Sequence, residues 1–426
     1  MTQIKDHSER YRLSNELHAR PFPSLSAPCR AVFLAVKQAE AAVARDRAAD
    51  LAHLIDLLDR FGAPHPQPGA THWHGGLGKH HMKWESHTEF VTYTVFLDGL
   101  GERPFDAADF EVFPADWRAA MPGERVTSAL IRVEPRPAEP EVLDRLDAWF
   151  VPESLASSRV LDDAAVVAGD FRIDSHGHMR FAVFPTEGTG QRRVGRVVQR
   201  LCEIETYKTM SMLGFARAKS LGKRLAEIDH ALNSLVGSMS DAEKPAEETL
   251  RELLQVSAEL EDISAQASFR FGATEAYEAI VLQRVQVMRE ERLAGRQTFH
   301  EFMMRRYDPA MRTVKSTQGR LAGMSDRAMR ASDLLRTRVD VERSAQNQAL
   351  LESMDKRADL QLRLQTTVEG LSVVAISYYA VSLGGYLAGP LAYPLGLDKV
   401  ELMAAITLPV VLAVWWIIRR IRHAYH

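Results

Sequence analysis

The chemistry in this chain concentrates between His72 and Glu89. On a β-strand, successive side chains point to opposite faces. Read as one strand, the stretch HHMKWESHTEF puts His81, Lys83, Glu85, His87 and Glu89 on one face, and Met82, Trp84, Thr88 and Phe90 on the other. Imidazole and carboxylate together suit Zn, Mn or Fe, so a divalent metal is the cofactor such a set would hold. The same residues could also bind an anion, act as an acid–base pair, or form the salt-bridged face of a half-buried strand. Two further groups join the expectation. His176 and His178 flank a turn with Asp174 nearby, and Glu16, His18 and Arg20 lie close together near the N-terminus. If the three segments meet, Glu16, His18, Arg20, Glu85, His87, Glu89, His176 and His178 form one polar site. His72, His74, His80 and His81 fall in or beside a Gly-rich stretch that reads as a loop.

Standard catalytic signatures are absent from the sequence. There is no P-loop, no GxGxxG after a strand, no HExxH and no GxSxG elbow. Asp162 with Asp163, and Glu203 with Glu205, are explained as turn and helix-surface charges. Arg196, Arg200, Glu203 and Tyr207 recur at three- and four-residue spacing, the pattern of an intrahelical ion-pair row. A functional version of that row would dock against the strand bearing Glu85 and His87. The sequence therefore reads as non-enzymatic, with a metal-dependent enzyme on the Glu85/His87/Glu89 strand as a lesser alternative.

These residues must be positioned by a chain of 426 residues with a formal net charge of −3. Near-neutral charge and the lack of a basic stripe argue against nucleic acid as a partner. Cys29 and Cys202 are the two cysteines, too few for a disulfide framework or a zinc site, which fits a reducing compartment. The N-terminus is polar, with no apolar core like that of a signal peptide. CRAVFLAV (Cys29–Val36) reads as a buried strand. Leu51, Leu54, Ile55 and Leu58 mark a helix that ends before Gly62 and Pro64. Residues 64–80 read as a loop, Lys83–Asp98 as a strand, and VTSALIRV, RVLDDAAVVAGDF and RIDSHGHMRFAVF as further strands.

Interleaved strands and helices over 1–188 indicate an α/β domain placed in the cytoplasm. Residues 189–364 read as a helical bundle and stalk, with breaks at Pro245, near Gly295 and at Pro309. Val314, Leu321, Met324, Ala328, Ala331, Leu335 and Val339 form a coiled-coil-like seam. Residues 367–389 and 400–418 are apolar runs of the length that crosses a bilayer, joined by 390–399 and followed by a basic tail, 419–426. Lys356, Arg357 and Arg363 precede the first run, and Arg419, Arg420 and Arg422 follow the second. Positive charge marks the cytoplasmic side, so both termini are expected there, with a short loop outside. Gly384, Gly385 and Gly389 permit close helix approach, either between the two spans or around an oligomer axis lined by residues such as Ser377. Glu369 sits at the edge of the first span. Stalk and glycines together suggest a homo-oligomer.

Four stretches carry a resemblance: NELHARPF (Asn15–Phe22), KWESHTEF (Lys83–Phe90), GRVVQRLCEIETYKTM (Gly195–Met210) and RADLQLRLQTTVEGLSVVAISYY (Arg357–Tyr379). Over essentially its whole length the chain resembles a bacterial family of membrane-anchored proteins, domain of unknown function 3422. That resemblance implies membrane anchoring and an unassigned function and brings no catalytic residues with it; the two spans and their flanking charges lead to the expectation of a multi-pass protein of the bacterial inner membrane. The order of parts is also similar to that of CorA-type divalent-cation channels. Those channels place a Gly-Met-Asn motif after the first span, where this chain has Gly384-Gly385-Tyr386 and Ala388-Gly389-Pro390. The leading expectation is a membrane-anchored sensor, scaffold or regulator acting through its α/β domain. A CorA-like channel is the main alternative.

Overall fold

Cys29–Lys37 (β1) is buried along almost its whole length, as a strand covered on both faces must be. In the computed structural model, which describes residues 4–16, 22–39, 44–239, 244–392 and 398–424, β1 is an interior strand of a large sheet. The other strands are β2 (His72–Leu77), β3 (His80–Ser86), β4 (Val91–Asp98), β5 (Glu124–Val133), β6 (Ala156–Val160), β7 (Ala165–Gly169), β8 (Met179–Pro185) and β9 (Glu291–Arg292). Their order is β2-β3-β4-β1-β5-β8-β7-β6-β9. β5 and β8 pair in parallel, and the other pairings are antiparallel.

Helices α2 (Arg47–Arg60), α3 (Ala115–Ala119) and α4 (Glu139–Trp149) supply one apolar layer. Leu54, Leu57 and Leu58 of α2 join Val32, Leu34 and Val36 of β1 and Tyr93 and Val95 of β4 in one core cluster. Val142 and Leu146 of α4 join Val166, Ala168 and Phe184 in a second. Each such side chain contributes about 1.5–3 kcal/mol by leaving water. His53 ties α2 to α3: its Nε2–H donates to the Trp117 carbonyl at 3.0 Å, and the Trp117 indole N–H donates back to the His53 carbonyl at 2.9 Å. Burial holds the His53 imidazole below its usual range, so it stays neutral.

The opposite face is met by α5 (Gln191–Ser238), whose Val194, Val197, Val198, Leu201 and Ile204 are buried. α5 contacts β5 and β8. It continues alongside α6 (Ala246–Gln286) in the antiparallel sense, with Arg217–Gln266 at 3.1 Å and Arg224–Glu259 at 2.7 Å. A helical turn, α7 (Phe299–Phe302), and a π-helical stretch (Met303–Tyr307) lead into α8 (Asp308–Ala392). Within the first of two units (residues 1–241 and 251–331), α8 lies parallel to α5 and antiparallel to α6. Lys315–Glu278 at 2.8 Å, Arg320–Asp229 at 3.3 Å and Tyr307–Ser211 at 2.7 Å hold it there. The seam residues Val314, Leu321, Met324, Ala328 and Ala331 are buried within this single chain. The packing partner of that stripe is thus the chain's own helices.

Several local expectations change. The stretch expected as a loop contains β2, paired with β3 so that His72 faces Glu85 and His74 faces Lys83. Gly75 has a packing reason: a Cβ there would press into the Trp73 indole, which folds over it. Lys83–Asp98 is two strands, because the chain turns at His87–Phe90, where the His87 amide bonds the Phe90 carbonyl at 2.9 Å. RVLDDAAVVAGDF is likewise a hairpin, β6 and β7. Pro309 does not break a helix. It lies directly after the π-helical stretch Met303–Tyr307, inside a helix that runs on from α7, at a point where the regular bonding ladder is already interrupted.

The second unit comprises residues 242–250 and 332–426. The end of α8 and α9 (Lys399–Ala424) are long and apolar enough to cross a membrane. A Cβ on Gly385 would overlap the Met403 sulfur, and one on Gly384 would touch Ile406, so these glycines let α8 and α9 pack together. Residues 343–368 of α8 are exposed, including Leu350, Leu351, Met354 and Leu362.

Helix α5 approaches α6 most closely at Gly214, where a Cβ would overlap the Thr274 hydroxyl. Gly214→Leu should therefore destabilise the chain by roughly 1–3 kcal/mol, the usual cost of overpacking. Gly222→Leu, where nothing lies near, should cost much less. Denaturation midpoints for the two variants would decide it, and equal midpoints would rule out the tight crossing.

Candidate functional site

The face of the sheet under α5 is not uniformly apolar. On β3, Lys83 and Glu85 point toward α5. On β4, the register sets Thr94 opposite Lys83 and Thr92 opposite Glu85. On β1, Phe33 stands opposite Thr94. These side chains form the floor of a cavity of about 230 Å³, roofed by Val198, Gln199, Cys202, Glu203, Thr206 and Tyr207 of α5. Phe22 and Pro23 close one side, Arg284 of α6 another, and His87 with Phe90 of the β3–β4 turn a third.

A polar chain runs through this space. Lys83 Nζ lies 3.1 Å from Glu85 and donates to Gln199 Oε1 at 3.0 Å. The Gln199 amide donates to Glu203 at 2.8 Å, and Arg284 also pairs with Glu203. The Tyr207 hydroxyl is 3.5 Å from His87 Nδ1, and the His87 ring stacks on Phe90 at 4.4 Å. A Lys83 that is 7 % exposed needs this pairing, since an uncompensated buried charge is costly. The arrangement can hold a small molecule by hydrogen bonds at one end and by Phe33, Phe90 and Phe96 at the other.

The segment Phe22–Pro28 separates this cavity from a neighbouring one of about 550 Å³ beside His74, His81 and Cys29. The segment lies flat on α5 because Gly195 has no side chain: a Cβ there would overlap the Pro23 carbonyl oxygen. The Leu25 amide donates to the Gln191 carbonyl at 3.1 Å, and Arg196 lies over the Phe22 ring. Burial, the largest influence on each, pushes the Cys202 thiol well up and the Cys29 thiol to about 12. Both stay protonated near neutral pH, which removes thiolate chemistry from the two cavities.

The residues singled out by spacing are divided among several places. Glu85 and His87 share the cavity, and α5 brings Glu203 and Tyr207 to the same space. Glu89 turns away. Only 2 % exposed, it pairs with Arg270 and accepts from the Tyr277 hydroxyl at 2.9 Å. His178 is elsewhere, 2.9 Å from the Ser128 hydroxyl and stacked on Phe110 at 3.8 Å. The amides of His176 and His178 both donate to Asp174 at 2.9 Å. Helix α1 (Arg10–Glu16) ends at Glu16. The Glu16 side chain, His18 and Arg20 lie outside the described residues. Among the described residues, no group of three or more His, Cys, Asp or Glu is placed to hold a metal ion. In the apolar helices, Ser377 is 5 % exposed, Glu369 accepts from Gln365 at 3.1 Å, and Gly389 has open space around it.

Spacing along one strand did not point to Thr92, Thr94, Gln199 or Arg284. The threonines become visible only once β3 and β4 are recognised as a hairpin and their register is written out. Gln199 and Glu203, four residues apart on α5, carried a local signal; Arg284 carried none. A model of the family described as protein of unknown function (DUF3422) matches residues 5–425. No curated protein and no solved structure matches the chain.

Two outcomes follow from the buried groups. Glu89→Ala leaves Arg270, itself 17 % exposed, without its partner and removes the acceptor of the Tyr277 hydroxyl, and should cost roughly 1–3 kcal/mol in denaturant titration, with Glu89→Gln costing less. A loss under about 1 kcal/mol for the alanine variant would remove Glu89 from the forces holding α6. Burial, with Arg125 nearby, holds the His178 imidazole down at about 4. The neutral ring is the folded form, so its stabilisation is complete above the unfolded value of about 6.5 and lost as pH falls through about 4. Stability should drop over that window by at most about 3 kcal/mol on this account. His178→Gln should flatten the drop, and an unchanged pH profile would contradict the assignment.

Proposed function

We propose a function for a chain that belongs to the DUF3422 family over nearly its whole length: it is a membrane-anchored, non-enzymatic sensor or regulator that takes up a small ligand in the cavity under α5. The cavity carries the proposal. It is built from paired charges and aromatic walls, at the place where the longest helix of the first unit meets the sheet. A ligand that pulls Gln199 or Glu203 toward Lys83 moves α5, and α5 shares the Ser211–Tyr307 and Asp229–Arg320 contacts with α8. α8 ends in an apolar segment. In this reading the sheet domain reports occupancy to the membrane end through helix packing.

The sheet domain and the basic tail face the cytoplasm of the bacterial inner membrane, with α8 and α9 crossing it as a hairpin, the plan shared with CorA-type channels. Lys356, Arg357 and Arg363 on one side, and Arg419 and Arg420 on the other, support that orientation. Arg419 and Arg420 lie over the Trp415 and Trp416 rings at 4.9 and 5.2 Å, a pairing suited to a membrane interface. The exposed leucines of residues 343–368 support a homo-oligomer formed along α8. Gly384 and Gly385 serve the packing of α8 on α9, which favours an anchor over a conducting pore.

Cysteine labelling tests the orientation directly. The two native thiols are buried and protonated, so background is low. A cysteine introduced within 393–397 should react with a membrane-impermeant maleimide from outside intact spheroplasts. One at Ser8 or at the C-terminus should react only after lysis. Labelling of all three from outside, or release of the protein by alkaline carbonate, would end the hairpin proposal.

A further inference from the structure

We infer that the cavity under α5 selects a small zwitterion with an apolar body, an α-amino acid with an aliphatic or aromatic side chain. The inference rests on reading the cavity as a binding site. It starts from the register of β3 and β4, which sets Lys83 beside Thr94 and Glu85 beside Thr92 on one face of the sheet. The floor therefore alternates cation, anion and two hydroxyls within a few ångströms.

The hydroxyls are the decisive feature. Thr92 and Thr94 are 5 % and 8 % exposed, and both line the cavity. Among the described residues neither side chain has a hydrogen-bond partner, so both hydroxyls are free to bond whatever enters the cavity. Thr206, on the roof, shows the contrast: its hydroxyl is already committed to the Cys202 carbonyl at 2.8 Å. Lys83 gives one ammonium donor to Gln199 and lies 3.1 Å from Glu85, which leaves at least one donor for a ligand. Glu85 has Lys83 as its partner among the described residues, so most of its acceptor positions are open. Donors and acceptors not used within the chain thus line one cavity.

Charge balance narrows the ligand. Lys83 offsets Glu85, and Arg284 offsets Glu203. A ligand with a net charge would bring an unbalanced charge beside two pairs that are already neutral. A zwitterion brings none. Its carboxylate fits the free donor of Lys83 and the Thr94 hydroxyl. Its ammonium fits Glu85 and the Thr92 hydroxyl oxygen. The side chain then lies against Phe33, Phe90 and Phe96. A cavity of about 230 Å³ is below the roughly 300–1,000 Å³ of drug-sized pockets, which restricts the occupant to a single small molecule.

The test is calorimetric titration of the full-length protein in detergent with L-leucine and L-phenylalanine. Isoamylamine, 4-methylvalerate and glucose serve as comparison ligands. The amino acids should bind, with the amine and the acid each about tenfold weaker or worse, because each lacks one charge-assisted set of bonds. Glu85→Gln and Thr94→Val should each weaken binding about tenfold, while Thr94→Ser, which keeps the hydroxyl, should restore it. The serine variant also shows that lost affinity is not lost folding. Equal binding of the amine or the acid would overturn the zwitterion. So would glucose binding in place of the amino acids. If either of those ligands is in turn lost in Thr94→Val, the cavity stands as a binding site and only its ligand class is wrong. Amino-acid binding that ignores both Glu85→Gln and Thr94→Val would place the site elsewhere and overturn the inference. Absence of binding by every compound would overturn the inference, and with it the support it draws from the cavity.

Discussion

Glu205 is completely buried where α5 crosses the sheet, and α5 can lie there only if that charge is compensated. The Thr127 hydroxyl of β5 donates to it at 2.9 Å, Thr209 at 3.0 Å, and Lys208 pairs with it at 2.8 Å. A carboxylate left alone in such a place would cost several kcal/mol, so sliding or rotating α5 by one residue is strongly opposed. Glu89 acts in the same way on α6, through Arg270 and Tyr277. Buried charges with specific partners thus set the register of both long helices against the sheet.

The same constraint explains why a cavity exists. The face under α2, α3 and α4 is closed by interdigitating apolar side chains, and nothing prevents them from filling the space. Under α5, part of the sheet face consists of Lys83, Glu85, Thr92 and Thr94. Those groups need partners more than they need contact, and α5 answers with Gln199 and Glu203 instead of leucine. Gly195 lets the segment at Pro23 come close enough to wall the space off. Binding capability here is a by-product of how a polar patch is accommodated between two layers. It costs stability locally and is offset by the dry core on the opposite face.

Much of the architecture is visible in one dimension. β1 announces itself as a short β-branched run, α2 by its leucines at helical spacing, and the two apolar helices by length and composition. The stripe from Val314 to Ala331 is likewise plain. Features that depend on pairing are not. β2 is hidden because its glycines, of which Gly75 admits the Trp73 indole, read as loop residues. The turn at His87–Phe90 is hidden because the residues on both sides have strand chemistry. Pro309 reads as a break, although the helix runs through it directly after a π-helical stretch.

The candidate site divides along the same line. Residue types and spacing by themselves determined that Glu85 and His87 belong to the densest polar stretch, that the chain ends in two apolar helices, and that no standard catalytic motif is present. Those properties are local, carried by identity and periodicity along a single segment. Only the tertiary structure decided that Glu89 leaves that group for Arg270, that His178 belongs to a separate packing contact, and that Thr92, Thr94, Gln199 and Arg284 join Glu85. These are consequences of strand register and of helix placement on a sheet. Both are fixed by which buried charges find partners across long stretches of chain, and that information does not lie in any one segment.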